Sequence, residues 1–233
     1  MGTRKAWAEI VEWLGANAPV TARTIRAPAP EAFIRSFEEA APNGWPKDLS
    51  TLYRLFDGAE PSTAGYILPS YRPLPLKEAE ETRQMLLDVW ARVGEEANAL
   101  DKQEKRSPLH VNLRAAFEAY GGALAPTPHK PYDPAHAEAE EAGTRVSMFI
   151  PSFLPVADDG SGDFLFVDLR KGQQYGCVSE YFKEEADWRP AMWPSLDALL
   201  ADTLLSLRTG QPALSFMPTV REGRLHWGIP PGR

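Results

Sequence analysis

Apolar positions along the first ninety residues recur at three- and four-residue intervals, the spacing of a helix with one buried face. Trp7, Ile10, Val11 and Leu14 form the first stripe, with Thr3 placed to cap that helix and Gly15 to stop it. Residues 17–30 carry Pro19, Pro28 and Pro30 and predict a linker. Phe33, Ile34 and Phe37 mark a second helix opening at Pro30 and Glu31. After the break at Pro42-Asn43-Gly44, a third helix has Pro46 in its first turn, Leu49, Leu52, Tyr53 and Phe56 inside, and Gly58 at its end. Residues 64–71 predict a short strand. Leu76 opens a helical run through Val93, with Leu86, Val89, Trp90 and Val93 along one side. Glu78, Glu80 and Glu81 precede Arg83, an order that suits the helix dipole.

Further on, the pattern shortens to strands. Residues 145–151 predict one strand. Residues 154–157 and 164–169 predict two more, joined by the turn Asp158-Asp-Gly-Ser-Gly-Asp163. Glycine supplies positive φ in such a turn, and Asp and Ser hydrogen-bond to nearby backbone. The near-continuous run Phe164, Leu165, Phe166, Val167 suits a strand covered on both faces. Residues 176–182 predict the next strand. Leu196, Leu199, Leu200, Thr203, Leu204 and Leu207 then define a helix capped by Ser195, with Asp197 in its first turn and Gly210 at its stop. Residues 214–220 and 225–229 predict a closing hairpin. N-terminal helices, a mostly antiparallel sheet, a late helix and a C-terminal hairpin make the fold class α+β.

Between Gly94 and Gly143 the composition shifts to Ala and Glu, with Pro126, Pro128, Pro131 and Pro134 clustered. Residues 109–120 predict a helix there, with Leu113, Ala116, Phe117 and Tyr120 inward, and residues 123–142 predict loop. The expected organisation is one domain over residues 1–233, with a variable insertion at about residues 94–145.

The segment from Phe153 to Leu169 resembles the SUKH superfamily, which includes the yeast Smi/Knr cell-wall-assembly regulators and many bacterial immunity proteins. There, an apolar turn of the form Pro-φ-Ala-x-Asp-Gly-x-Gly-Asp precedes an apolar strand ending in Asp-Leu. Residues 154–169 follow that pattern. Glu38-Glu39, then Gly44-Trp45-Pro46-Lys47-Asp48-Leu49, Leu52-Tyr53 and Phe56-Asp57-Gly58, fall in the family's order, as do Pro194-Ser195-Leu196 and a final hairpin. Residues 94–145 lie outside the resemblance. The resemblance implies a non-enzymatic protein-binding domain, most readily a bacterial immunity protein that binds and neutralises a toxin domain such as a nuclease. A regulatory scaffold tied to cell-wall synthesis and signalling is the alternative. A ligand-binding protein or hydrolase, for which no catalytic set can be nominated, is the remaining one.

Charge narrows the partner. The 233 residues carry a formal net charge of -7, which argues against direct nucleic-acid binding, since phosphate contacts need clustered Lys and Arg. An acidic protein is steered instead toward a basic one, although solubility alone also accounts for the sign. The candidate partner-binding residues are Asp158, Asp159 and Asp163 of the acidic turn, with Glu38, Glu39 and Trp45 beyond it. Trp188 and Trp193 also fall at expected element boundaries, where Trp is enriched as a binding anchor.

Other chemistry finds less support. The turn's oxygens suit a hard cation, but Phe164 stands where a calcium loop needs its glycine and Arg170 where it needs its closing glutamate. His129 and His136, with Asp133 between, lack metal-site spacing. Ser161 lies between two glycines but not in a nucleophile elbow. The lone Cys177 is expected to pack as a buried thiol. No catalytic residue, cofactor or metal is expected. The N-terminal residues resemble neither a signal peptide nor a membrane span, so a cytoplasmic location is expected.

Overall fold

A computed structural model describes residues 2–41, 43–106, 133–183 and 186–230. Four helices open the chain: α1 (Thr3–Asn17), α2 (Pro19–Ala22), α3 (Glu31–Ala40) and α4 (Lys47–Leu55). A two-residue strand β1 (Arg72–Pro73) precedes the long helix α5 (Leu76–Arg106) and the short helix α6 (Pro134–Ala139). Strands β2 (Phe153–Asp158), β3 (Phe164–Asp168), β4 (Val178–Phe182) and β5 (Ala186–Trp193) follow. Helix α7 (Leu196–Thr209) and the hairpin β6 (Met217–Arg221) and β7 (Arg224–Gly228) close the fold. The five-stranded sheet has the order β1-β2-β3-β4-β5, every neighbouring pair antiparallel. The α+β class is as expected.

Local signals account for most elements. Ser195 Oγ accepts from the Ala198 N–H, and Gly210 takes the left-handed conformation (φ 71°) that ends α7. The β6–β7 turn places Glu222 and Gly223 both at positive φ, as a tight two-residue hairpin turn requires. That hairpin docks on α2, where Val20 N donates to Gly223 O and Leu225 N donates to Thr21 Oγ1. One apolar cluster runs from Trp7 of α1 to Leu225 of β7. Trp7 stacks on Phe56 with ring centroids 3.7 Å apart, and Phe153 on β2 meets Phe166 on β3 at 4.1 Å. The core residues of β2 and β3 are covered as their unbroken apolar run implied.

The structure corrects several expectations. Residues 64–71 form turns: Gly65 N donates to Ser62 O, Leu68 and Tyr71 pair only with each other, and Ser70 lies at positive φ. The pairing strand begins at Arg72 instead. Residues 145–151 are also not a strand. Phe149 and Ile150 are fully buried there in irregular backbone, so hydrophobic burial supplied the pattern without a ladder. Conversely, β5 carried no clear strand signal because Pro190 interrupts it. Proline is tolerated since β5 is an edge, and the strand bulges there, with Ala191 at φ 50°. Thr3 does not cap α1 but donates to Asp197 at the start of α7, and Gly15 lies inside the helix. The linker at 17–30 contains α2.

The helix expected to end at Val93 runs through Gly94 to Arg106, so the compositional change at Gly94 is not a structural boundary. Part of the expected loop at 123–142 is α6, where the Asp133 side chain accepts from His136 N. The helix expected over 109–120, and His129, lie outside the described residues. Among the described residues, no helix is long and apolar enough to cross a membrane.

Candidate partner-binding site

The acidic turn is built by its own carboxylates. Asp159 accepts from Ser161 N (2.7 Å), Ser161 Oγ (2.5 Å) and Asp163 N (3.0 Å), and Asp163 accepts from Lys183 N at 3.1 Å. Tyr66 Oη donates to the Asp159 carbonyl at 3.2 Å, and Gly160 takes φ 75° against that hydroxyl. Asp158 pairs with Arg72 at 2.5 Å, and Arg72 also reaches Glu78 at 2.9 Å. Burial pushes the Asp158 carboxyl above the usual carboxylate range, although Arg72 pulls the other way. The three aspartates are therefore together, as expected, but they shape the turn as well as charging it.

Glu180 on β4 lies in the field of the same turn. It is 3% exposed, accepts from Tyr71 Oη at 2.8 Å, and pairs with Arg189 at 3.1 Å. Burial raises its carboxyl above the ordinary value, and Asp163 and Asp159 add to that, against Tyr71 and Arg189. A carboxyl raised in the folded state binds its proton more tightly there than in the unfolded chain. Its contribution is full below the unfolded value and is lost as pH rises through the folded one. Glu180→Gln should therefore gain thermal stability relative to the parent as pH climbs above the ordinary glutamate value of about 4. Melting curves from that pH upward check this; a parent-to-variant gap that stays constant with pH refutes it.

The other candidates gather elsewhere. Glu38 on α3 pairs with Arg54 of α4 at 3.1 Å, and Arg54 also holds Glu31 at 2.9 Å. The hydrogen bonds from Arg54 and then Arg35 lower the Glu31 carboxyl to about 2. Glu39 is exposed, with no ion-pair partner among the described residues. Trp45 packs edge-on against Phe37 (5.6 Å), which packs likewise on Phe33 (5.0 Å). Asn43 Nδ2 donates to Leu169 O at 2.9 Å and pins the α3–α4 loop to the end of β3. Phe37, Ala40, Trp45, Arg83, Glu138 and Leu154 line a cavity of about 430 Å³. It adjoins a second of about 360 Å³, sharing Asn43 and Glu138, walled by Glu140, Glu141 and Lys171.

The two candidate sets are separate. Leu154, near the start of β2, lines the aromatic cleft, while Asp158 ends the strand, roughly 13 Å further at the usual rise per residue. Of the remaining tryptophans, Trp193 is buried and donates from Nε1 to Asp202 at 3.1 Å, and Trp188 falls within β5. The Cys177 thiol is buried. Among the described residues, no three His, Cys, Asp or Glu side chains form a group that could hold a metal ion.

Residue-type reasoning missed the pair that organises the cleft's far wall. Arg170 is fully buried, with its guanidinium on Asp168 at 2.7 Å and donating to the carbonyls of Ala137 (3.2 Å) and Thr144 (2.7 Å). Asp168 Oδ2 also accepts from Gly143 N at 2.9 Å. Together they fasten α6 and its following loop to the end of β3. The Asp-Leu-Arg run at 168–170 was the available signal, but nothing local showed which backbone it would grip.

Against this geometry, the profile of the SMI1/KNR4 family (SUKH-1) matches residues 28–202. The chain belongs to that family. The match contains both the acidic turn and the aromatic cleft, and leaves out α1, α2 and the β6–β7 hairpin. No curated protein matches the chain.

Proposed function

We propose that this SUKH-1 chain is a non-enzymatic protein-binding domain of the cytoplasm that neutralises a toxin domain, a basic nuclease being the best-suited target. The observation that carries the reading is membership of the SUKH-1 family over residues 28–202. The net charge of -7 supports it, because complementary charge speeds association with a basic partner. The mechanism is occlusion of the toxin by binding, without turnover. Asp159, Asp163, Glu38, Glu39 and Trp45 are the proposed partner-facing residues; Asp158, of the same acidic turn, acts through its pair with Arg72, which holds the turn in place.

The test is affinity capture of the tagged protein from its source lysate, followed by expression of the captured partner. A partner that arrests growth alone, and is rendered harmless by co-expression of this chain, is the expected outcome. Changing Asp158, Asp159 and Asp163 together to Asn should weaken that complex and flatten its salt dependence, with melting curves run alongside because the same residues build the turn. Capture of several non-toxic cell-wall or signalling enzymes would replace this reading with the regulatory scaffold.

A further inference from the structure

The paired cavities between α3, the α3–α4 loop and α6 form a concave surface with a definite chemical character. One wall is aromatic and aliphatic: Phe37, Ala40, Trp45 and Leu154. Four carboxylates, Glu80, Glu138, Glu140 and Glu141, line the two cavities, against two cations, Arg83 and Lys171. Arg83 is already engaged by Glu80 at 2.7 Å and by the Pro151 carbonyl at 2.9 Å. Glu138 accepts only from Ser152, and the exposed Glu141 has no ion-pair partner among the described residues. Glu39 adds an unpaired charge one residue before Ala40. The wall also holds an unmet donor, since Trp45 Nε1 is buried without an acceptor.

We infer that this cleft seats a basic segment of a partner protein, anchored by one aromatic or aliphatic side chain. The inference rests on the protein-binding reading above and gives it a second surface, distinct from the acidic turn. A cavity of about 430 Å³ is in the size range of small-ligand pockets and accommodates such an anchor. Lysine or arginine on either side of the anchor meets Glu39, Glu138 and Glu141. A backbone carbonyl of the inserted segment supplies the acceptor that Trp45 Nε1 lacks, once the indole shifts to meet it. Apolar insertion provides the affinity, and the excess of carboxylates selects the sign of the partner.

The probe is a random-peptide library displayed on phage and panned on the immobilised protein, which needs no captured toxin. Enriched peptides should carry Lys or Arg beside an aromatic or aliphatic residue. Their affinity should fall about tenfold or more when Ala40→Cys is blocked with a maleimide fluorophore, the native Cys177 being buried. The same loss should follow Glu39→Lys with Glu141→Lys, two exposed positions whose change leaves the core intact. Ser161→Cys carrying the same fluorophore on the acidic turn should leave peptide affinity unchanged. No enrichment, enrichment of acidic or uncharged peptides, or indifference to the Ala40 label overturns the inference. Failure to capture a toxin in the earlier experiment would instead overturn the immunity reading and leave this cleft assignment standing.

Discussion

Arg170→Met should lower the free energy of unfolding by about 3–5 kcal/mol, the usual cost of leaving one member of a buried ion pair alone. The reason is local: Asp168 and Arg170 are 1% and 0% exposed, so no water replaces the lost guanidinium. The carbonyls of Ala137 and Thr144 lose their donors at the same time. Urea denaturation measures the effect. Asp168→Asn combined with Arg170→Met should recover about 1 kcal/mol relative to Arg170→Met alone: the amide no longer buries an uncompensated charge, while its single oxygen keeps only one of the two backbone donors, Arg170 N and Gly143 N, that the carboxylate held. A double variant less stable than the single would show that the pair's charge is not what makes the site costly.

Gly58→Ala should be the next most damaging, at about 2–5 kcal/mol. Gly58 takes φ 70° between α4 and β1, and a Cβ there would lie 2.3 Å from Pro75 N and 2.5 Å from Leu74 C. Both obstacles are backbone, so relief requires moving the entry to α5. Gly15→Ala is the contrasting case. Gly15 lies inside α1 with nothing within 4 Å of its added carbon, and the same chemical change should stabilise by about 0.5–1 kcal/mol. Equilibrium unfolding of both variants decides it; equal effects at the two positions would contradict the steric argument.

The elements legible in the chain are those that carry their own instructions. Ser195 and Gly210 bound α7 by hydrogen bonds and dihedrals within a turn of themselves. The acidic turn announces itself because Asp159 bonds residues two and four positions on. The misread segments were those in which a neighbour far along the chain decides the backbone. Residues 145–151 have a strand's hydrophobicity but no ladder, their buried Phe149 meeting Phe153 and Tyr181 through side chains. β5 has a breaker at Pro190 yet pairs along β4, because only one edge needs donors.

The candidate site divides the same way. Asp158, Asp159 and Asp163 were legible as one cluster because they are close in sequence. That Asp158 spends its charge on Arg72, 86 positions away, was not legible. Nor was the cleft, since Trp45, Leu154 and Glu138 come together only when the α3–α4 loop, β2 and α6 meet. By itself, the sequence determined the α+β class, the two ends of the late helix α7, the acidic turn and the family, all properties of short-range pattern and residue order. The tertiary structure alone decided which charges are spent internally and which remain for a partner. Burial and pairing between distant segments set the cost of each charge, and no local pattern encodes them.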